Sequence, residues 1–250
     1  MARKKKGATS SPVTNPTRRN RRRKPAARDD VGFTMQRAIQ PPTASGAIVG
    51  RPSPRFTQLS PRVTLISHTE VVSQPLTSAT DISGSVCDLC PAGFPGWLSP
   101  VALNWSRWRW RCLRFIYVPQ CPTTLSGTIT MGITYDIQDT FPATLDAATQ
   151  LYGSVTTPYW GGVDGAMSLA DCRSPLRGNA VSVSVDLADN RIRPYVTSQT
   201  LASSADQILY SLGALVVFRQ GGPATQQAAG IIFGQYEIEL IDPVSASTNT

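Results

Sequence analysis

"TITMGITYDIQDTFP", residues 128 to 142, opens as a strict alternation and closes on two carboxylates. Ile129, Met131, Ile133, Tyr135 and Ile137 alternate with threonine, glycine or aspartate. Period two over this length places one set of side chains on one face of a pleat, so the segment predicts a half-buried strand. The pattern recurs in "VSVSVDL" at 181 to 187 and in "YEIELI" at 236 to 241, where Glu237 and Glu239 are expected on the wet side. "ILYSLGALVVF" at 208 to 218 is apolar throughout and suits a central strand covered on both faces. Helical signals are short: "PATLDAATQLYG" at 142 to 153, with Pro142 in its first turn and Gly153 as its stop, and "GAMSLADC" at 165 to 172. Many strands separated by Gly, Pro and Ser turns, with brief helices in the connections, predict an all-β antiparallel sandwich. The jelly roll is the commonest such body of this size.

Charge divides the chain. Residues 1 to 28 hold eleven Lys or Arg and no acid, whereas residues 29 to 250 hold thirteen against all sixteen Asp and Glu. The net charge of +8 therefore belongs to the N-terminal arm. Arg3, Lys4, Lys5, Lys6, Arg18, Arg19, Arg21, Arg22, Arg23, Lys24 and Arg28 stand there among Pro, Ser, Thr and Asn with almost nothing apolar. Such a segment cannot offset its chain entropy by burial and is expected to be disordered when free. Blocks of like charge at a terminus serve as polyanion-binding arms, because each neutralised phosphate releases counterions, and nucleic acid is the leading partner. A nuclear-targeting signal and a solubilising tail are the alternatives. Residues 29 to 61 carry Pro41, Pro42, Pro52, Pro54 and Pro61 and read as an extended connector to a body over 62 to 250. Neither a signal peptide nor a segment of the ~20 apolar residues needed to span a membrane is read.

Catalysis finds little support. The single histidine, His68, lies in a strand-like "LISHTEVV" with no nucleophile motif nearby and reads as structural, and every lysine sits in the arm. The five cysteines suggest reduced thiols; "CDLC" at 87 to 90 has zinc-knuckle spacing but no second close pair. "WSRWRWRC" at 105 to 112 sets Arg107, Arg109 and Arg111 on one face of an extended strand and Trp108, Trp110 and Cys112 on the other. An RNA contact by charge and stacking is one reading. Core tryptophans, with arginines solvated or paired with a neighbouring subunit's acids, is the favoured one.

Asp136 and Asp139 point to opposite faces of a continuing strand and converge only if the chain turns after Ile137. Such a pair is a solvated turn, a metal site, or, third, an acid/base pair. A hard cation such as calcium takes about six to eight oxygens, more than two aspartates supply, so the rest would come from carbonyls, water or another chain.

Taken together, the arm, the connector, the sandwich and "RFIYVPQCPTTLSGTITMGITYDIQDTFP" at 114 to 142, with its D-x-x-D-x-x-P spacing, resemble the coat protein of sobemoviruses, plant RNA viruses of the southern bean mosaic type. The resemblance implies an eight-stranded jelly-roll shell domain with short connecting helices, T=3 icosahedral self-assembly, and no enzymatic activity. It implies basic arms turned inward to single-stranded viral RNA and a Pro-rich segment, near 40 to 54, that orders around threefold axes. It also implies structural calcium between subunits, held by Asp136 and Asp139 with a neighbour's Asn249, although Thr250 follows that asparagine. Location in the virion and the host cytoplasm, or in the nucleus through the arm, follows. A cellular RNA-binding module and a metal-dependent hydrolase using Asp136 and Asp139 are the readings from other classes.

Overall fold

The computed structural model describes residues 48–50, 53–77, 83–137, 139–162, 166–168, 172–173, 176, 180–188, 191–195 and 209–248. All belong to one compact unit, Pro41–Thr250. In chain order the strands are β1 (Ile48–Gly50), β2 (Arg55–Ser60), β3 (Val63–Ser73), β4 (Ser83–Asp88), β5 (Trp105–Pro119) and β6 (Thr128–Thr134). They continue as β7 (Tyr152–Pro158), β8 (Ala166–Ser168), β9 (Val181–Ser184), β10 (Arg193–Pro194), β11 (Ala214–Gln220) and β12 (Gly230–Pro243). The one-turn helices α1 (Leu98–Ala102) and α2 (Leu145–Thr149) lie in the connections. One antiparallel sheet runs β10-β5-β12-β3-β2, with β9 also on β5; a second runs β4-β11-β6-β7, and β1 and β8 form a separate parallel pair. This is the expected all-β jelly-roll sandwich. No helix among the described residues is long and apolar enough to cross a membrane.

The core lies between the sheets. Trp108, Trp110, Leu113, Phe115, Tyr117, Tyr236, Ile238 and Leu240 meet Ile129, Met131, Ile133, Leu215 and Val217 from the other sheet. Phe94, in the connection before α1, closes one end with ring centroids 5.3 Å from Tyr236, 5.4 Å from Trp110 and 6.1 Å from Phe115. Aromatic burial of this kind supplies most of the apolar driving force of a sandwich. The buried Glu70 carboxylate accepts the backbone N–H groups of Trp97 (2.6 Å) and Leu98 (3.2 Å) and the Tyr236 hydroxyl (2.8 Å), tying the first turn of α1 to β3 and β12. His68 is buried against Trp97 and Tyr236, in the structural role expected of it.

Several local expectations are corrected. The strand read over 128 to 137 ends at Thr134 and is buried on both faces, because Thr130 and Gly132 are covered as well as Ile129 and Met131. The apolar run 208 to 218 is a strand only from Ala214; it is central, paired with β4 and β6. The helix read over 142 to 153 is shorter: Thr144 caps it through the Ala147 N–H, and Tyr152 already starts β7. Part of 165 to 172, read as helix, is strand β8, because pairing with β1 overrides a weak local preference.

The thiol reading changes too. Cys112 and Cys172 form a disulfide that closes a loop of sequence separation 60. A bulge at Glu237/Ile238 makes Arg111 the extra residue of β5, so Cys112 pairs with Glu237 and leaves the tryptophans' face. Cys87, Cys90 and Cys121 remain thiols. Replacement of Cys172 by serine is expected to lower stability by about 2–4 kcal/mol in the full-length chain. Urea unfolding with and without reductant checks this: the parent loses that amount on reduction, and the variant's midpoint stays put.

Candidate functional site

At its C-terminal end β6 stops against β11, where Gly213 (φ 152°) has no room for a side chain. A Cβ there would lie 2.3 Å from the Thr134 carbonyl oxygen. Released from the sheet, the chain turns as the aspartate spacing required. The Asp139 N–H donates to the Asp136 carbonyl at 3.2 Å, and the Thr134 hydroxyl lies 3.0 Å from that carbonyl and 3.2 Å from Asp139 Oδ2. Asp136 and Asp139 are therefore brought to one turn, and both are exposed.

Two shallow clefts flank this turn. One, of about 320 Å³, is lined by Tyr135, Ile137, Asp186 and Arg191; the other, of about 360 Å³, by Asp139, Phe141, Leu151 and Val216. Tyr135 joins the turn to the loop after β9, since its hydroxyl oxygen accepts the Asp186 N–H at 2.7 Å. Among the described residues no group of three or more His, Cys, Asp or Glu side chains could hold a metal. Two exposed carboxylates offer hard oxygen donors, so their chemistry fits a calcium-type ion completed from elsewhere and not a closed site within one subunit. Asn249 and the eleven arm cations from Arg3 to Arg28 lie outside the described residues.

At 87 to 90 the two thiols stand without a third His, Cys, Asp or Glu ligand among the described residues. Burial pushes the Cys87 thiol up to about 12 and the Cys90 thiol up to about 11, so neither is an activated nucleophile.

The outer face of the six-stranded sheet carries an arrangement that sequence reasoning missed. Glu239, expected on the wet side, is 2% exposed and receives Arg109 and Arg111 from β5. Arg109 Nε and Arg111 Nε donate to its two oxygens at 2.9 and 2.6 Å. Arg62 and Arg107 share Asp242, and Arg173 pairs with Glu237 at 2.7 Å. The arginines expected in solvent or on a neighbour's acids thus have acids of their own chain. Complementary alternations, R-x-R-x-R at 107 to 111 and E-x-E at 237 to 239, were the signal that these strands are neighbours.

Residues 36–246 match the viral coat protein (S domain) family, and the chain belongs to it. It is 34% identical over 210 residues to the capsid protein of Tobacco necrosis virus (strain A), covering 82% of this chain and 75% of that protein. With the strain D capsid protein it shares 32% over 227 residues, 90% of this chain and 84% of the other. A solved tobacco necrosis virus structure superposes with TM-score 0.75 at 28% identity, covering 85% of this chain and 97% of that one. Cocksfoot mottle virus shares the fold, with TM-score 0.64 at 22% identity, covering 73% and 96%. The protein is a structural subunit of a viral capsid, part of the virion, and not an enzyme. The sobemovirus resemblance is met at the level of a viral coat protein, and the hydrolase alternative falls.

The ion-pair ladder makes a prediction. Burial pushes the Glu239 carboxyl up, but hydrogen bonds and charge from Arg109 and Arg111 outweigh it and hold the group below its usual range. A depressed folded-state value contributes stability that is present above the ordinary carboxylate range, near pH 4.3, and lost as pH falls through the folded value. Replacement of Glu239 by glutamine is expected to cost about 1.5–3 kcal/mol at neutral pH. The urea midpoint followed from neutral to acid pH should fall less steeply for that variant than for the parent.

Proposed function

We propose that this coat protein self-assembles into a T=3 icosahedral plant-virus shell, gathers single-stranded genomic RNA with its basic arm, and is clamped between subunits by calcium. The observation that supports the clamp is the turn on which Asp136 and Asp139 converge, exposed and short of the oxygens one calcium needs. The sobemovirus likeness of residues 114 to 142 is the source of this calcium assignment, and it names no particular virus. On the same likeness the chain divides into an arm (1 to 28), a connector able to order around threefold axes (29 to 61) and a shell domain (62 to 250).

The ion supplies positive charge that cancels the two carboxylates. Everything else falls to the chain itself. The Thr134 hydroxyl steadies Asp139, the Asp139 N–H to Asp136 carbonyl bond closes the turn, and Gly213 lets β11 back it closely. Remaining oxygens come from a neighbouring copy, Asn249 among them. When calcium is withdrawn, the unneutralised carboxylates repel and loosen the contact. In the arm, eleven cations per copy condense RNA phosphate without reading sequence, so packaging weakens with salt. Location in the host cytoplasm, and in the nucleus through the arm, belongs to the same proposal.

Purified particles treated with chelator should swell, seen as a slower sedimentation boundary, and recover with added calcium. Particles of Asp136→Asn/Asp139→Asn, which lose the ion and the repulsion together, should sediment alike with chelator and with added calcium. A parent whose sedimentation ignores calcium would remove the clamp from this proposal. Independently, deletion of residues 1 to 28 should lower the ratio of 260 to 280 nm absorbance in the particle fraction by removing encapsidated RNA.

A further inference from the structure

Cys172, Arg173 and Leu176 reach the outward face of the six-stranded sheet from a connection remote in sequence, and they are held there unequally. Cys172 is bonded to Cys112. Arg173 meets Glu237 at 2.7 Å, but its side chain is 62% exposed, and a pair so open to solvent contributes little. Leu176 rests with Ala180 and Phe233 on Ile116 and Val118, a small cluster apart from the main core. Without the disulfide those two contacts remain, with the weak S–H donor of Cys172 lying 3.3 Å from the Gln235 carbonyl oxygen. The sheet beneath needs none of them, because β5 is hydrogen-bonded to β12 along one edge and to β9 and β10 along the other. Opening the bond therefore frees these residues locally and leaves the sandwich folded.

The two sulfurs differ in access. Cys172 is 4% exposed, whereas Cys112 is half-buried, so a thiol arriving from solvent reaches Cys112 first. Each cysteine also has an exposed arginine next to it in sequence: Arg111, 41% exposed, before Cys112, and Arg173 after Cys172. Positive charge favours both the attacking thiolate and the departing one, which eases exchange relative to a buried disulfide in apolar surroundings. Burial raises the chain's other thiols, Cys87, Cys90 and Cys121, so the attacking group comes from outside the chain.

We infer that the Cys112–Cys172 bond is a reversible latch, opened by a small thiol of the glutathione class, that holds Cys172, Arg173 and Leu176 on the sheet. In the first step the glutathione thiolate attacks Cys112 Sγ. A mixed disulfide forms there, the S–S bond breaks, and the Cys172 thiolate leaves and takes a proton from water. A second glutathione thiolate attacks the glutathione sulfur of that mixed disulfide and releases Cys112, which is protonated in turn. Two glutathione thiols are thereby oxidised to one glutathione disulfide, and the protein disulfide is reduced to two thiols. Such a bond persists in an oxidising medium and opens in a glutathione-rich cytosol, so the subunit presents a different surface in each. Closed, Leu176 covers Ile116 and Val118; open, that apolar strip and Glu237 are uncovered.

The test holds the full-length chain in glutathione buffers running from the oxidised to the reduced form, traps free thiols with N-ethylmaleimide and locates them by mass spectrometry. Samples from each buffer are also given a brief trypsin digestion. With reduced glutathione in excess, Cys112 and Cys172 should both be trapped, and cleavage after Arg173 should quicken about tenfold while circular dichroism is unchanged. At intermediate ratios glutathione should be found on Cys112, and restoring the oxidised form should re-form the bond and the protection. A Cys112→Ser/Cys172→Ser variant should be cut at the open rate in every buffer. If that variant does not fold, the parent's own titration decides, because it carries no substitution. A bond that stays closed at every glutathione ratio, or opens without faster cleavage after Arg173, would overturn the inference. So would opening that abolishes the circular dichroism signal, because the disulfide would then hold the whole fold and not a local segment. Glutathione found on Cys172 alone would overturn the assigned order of attack.

Discussion

Strand β12 lies between β3 and β5 and is hydrogen-bonded to both along most of its length, so its two faces are committed in opposite directions. Tyr236, Ile238 and Leu240 enter the sandwich; Glu237 and Glu239 leave it. Because pleated neighbours share faces, β5 must answer with aromatics on one side and cations on the other, and "WRWR" does so. A slip of one residue would bring Arg109 into the aromatic core and Trp108 to the charged face. The register is accordingly held by a hydrophobic and an ionic cost at once.

The bulge at Arg111 extends this arrangement past the point where strict alternation would fail. By inserting one residue it lets Trp110 and Leu113 both face the core and turns Cys112 outward beside Glu237. There Cys172 and Arg173 reach the sheet from the loop before β9, one by a disulfide and one by an ion pair. Of the carboxylates beneath the arginines only Glu239 is buried, and the desolvation cost of such a pair offsets much of its attraction, so it is weak evidence for net stability. What they do supply is orientation of the guanidiniums that cover them.

At the sheet ends the logic reverses. The Asp136–Asp139 turn is exposed, and Thr134 and the turn's own backbone steady it. An isolated subunit has no other described acid group beside it that would complete a metal site. In the proposed clamp the missing oxygens would come from a neighbouring copy of the chain. The same chain thus carries a cationic face and acidic turns that are spatially separate, although residues 29 to 250 are mildly acidic in sum.

The sequence by itself determined what depends on local order. Alternation at 128 to 137, 181 to 187 and 236 to 241 specified strands, the first two longer than those that form, Gly and Pro specified the turns, and D-x-x-D-x-x-P marked a turn with two carboxylates. The concentration of charge in residues 1 to 28 was equally plain. Only the tertiary structure decided what depends on partners distant in the chain. It gave Glu239 to Arg109 and Arg111 across 130 and 128 residues, and it joined Cys112 to Cys172. It also made a strand of Ala166–Ser168 and ended the helix before Tyr152, where pairing with β6 takes over. The physical reason is the same in each case: period and turn chemistry are properties of neighbours in sequence, whereas charge pairing, thiol pairing and strand partnership are settled by which segments the folded sheet brings side by side.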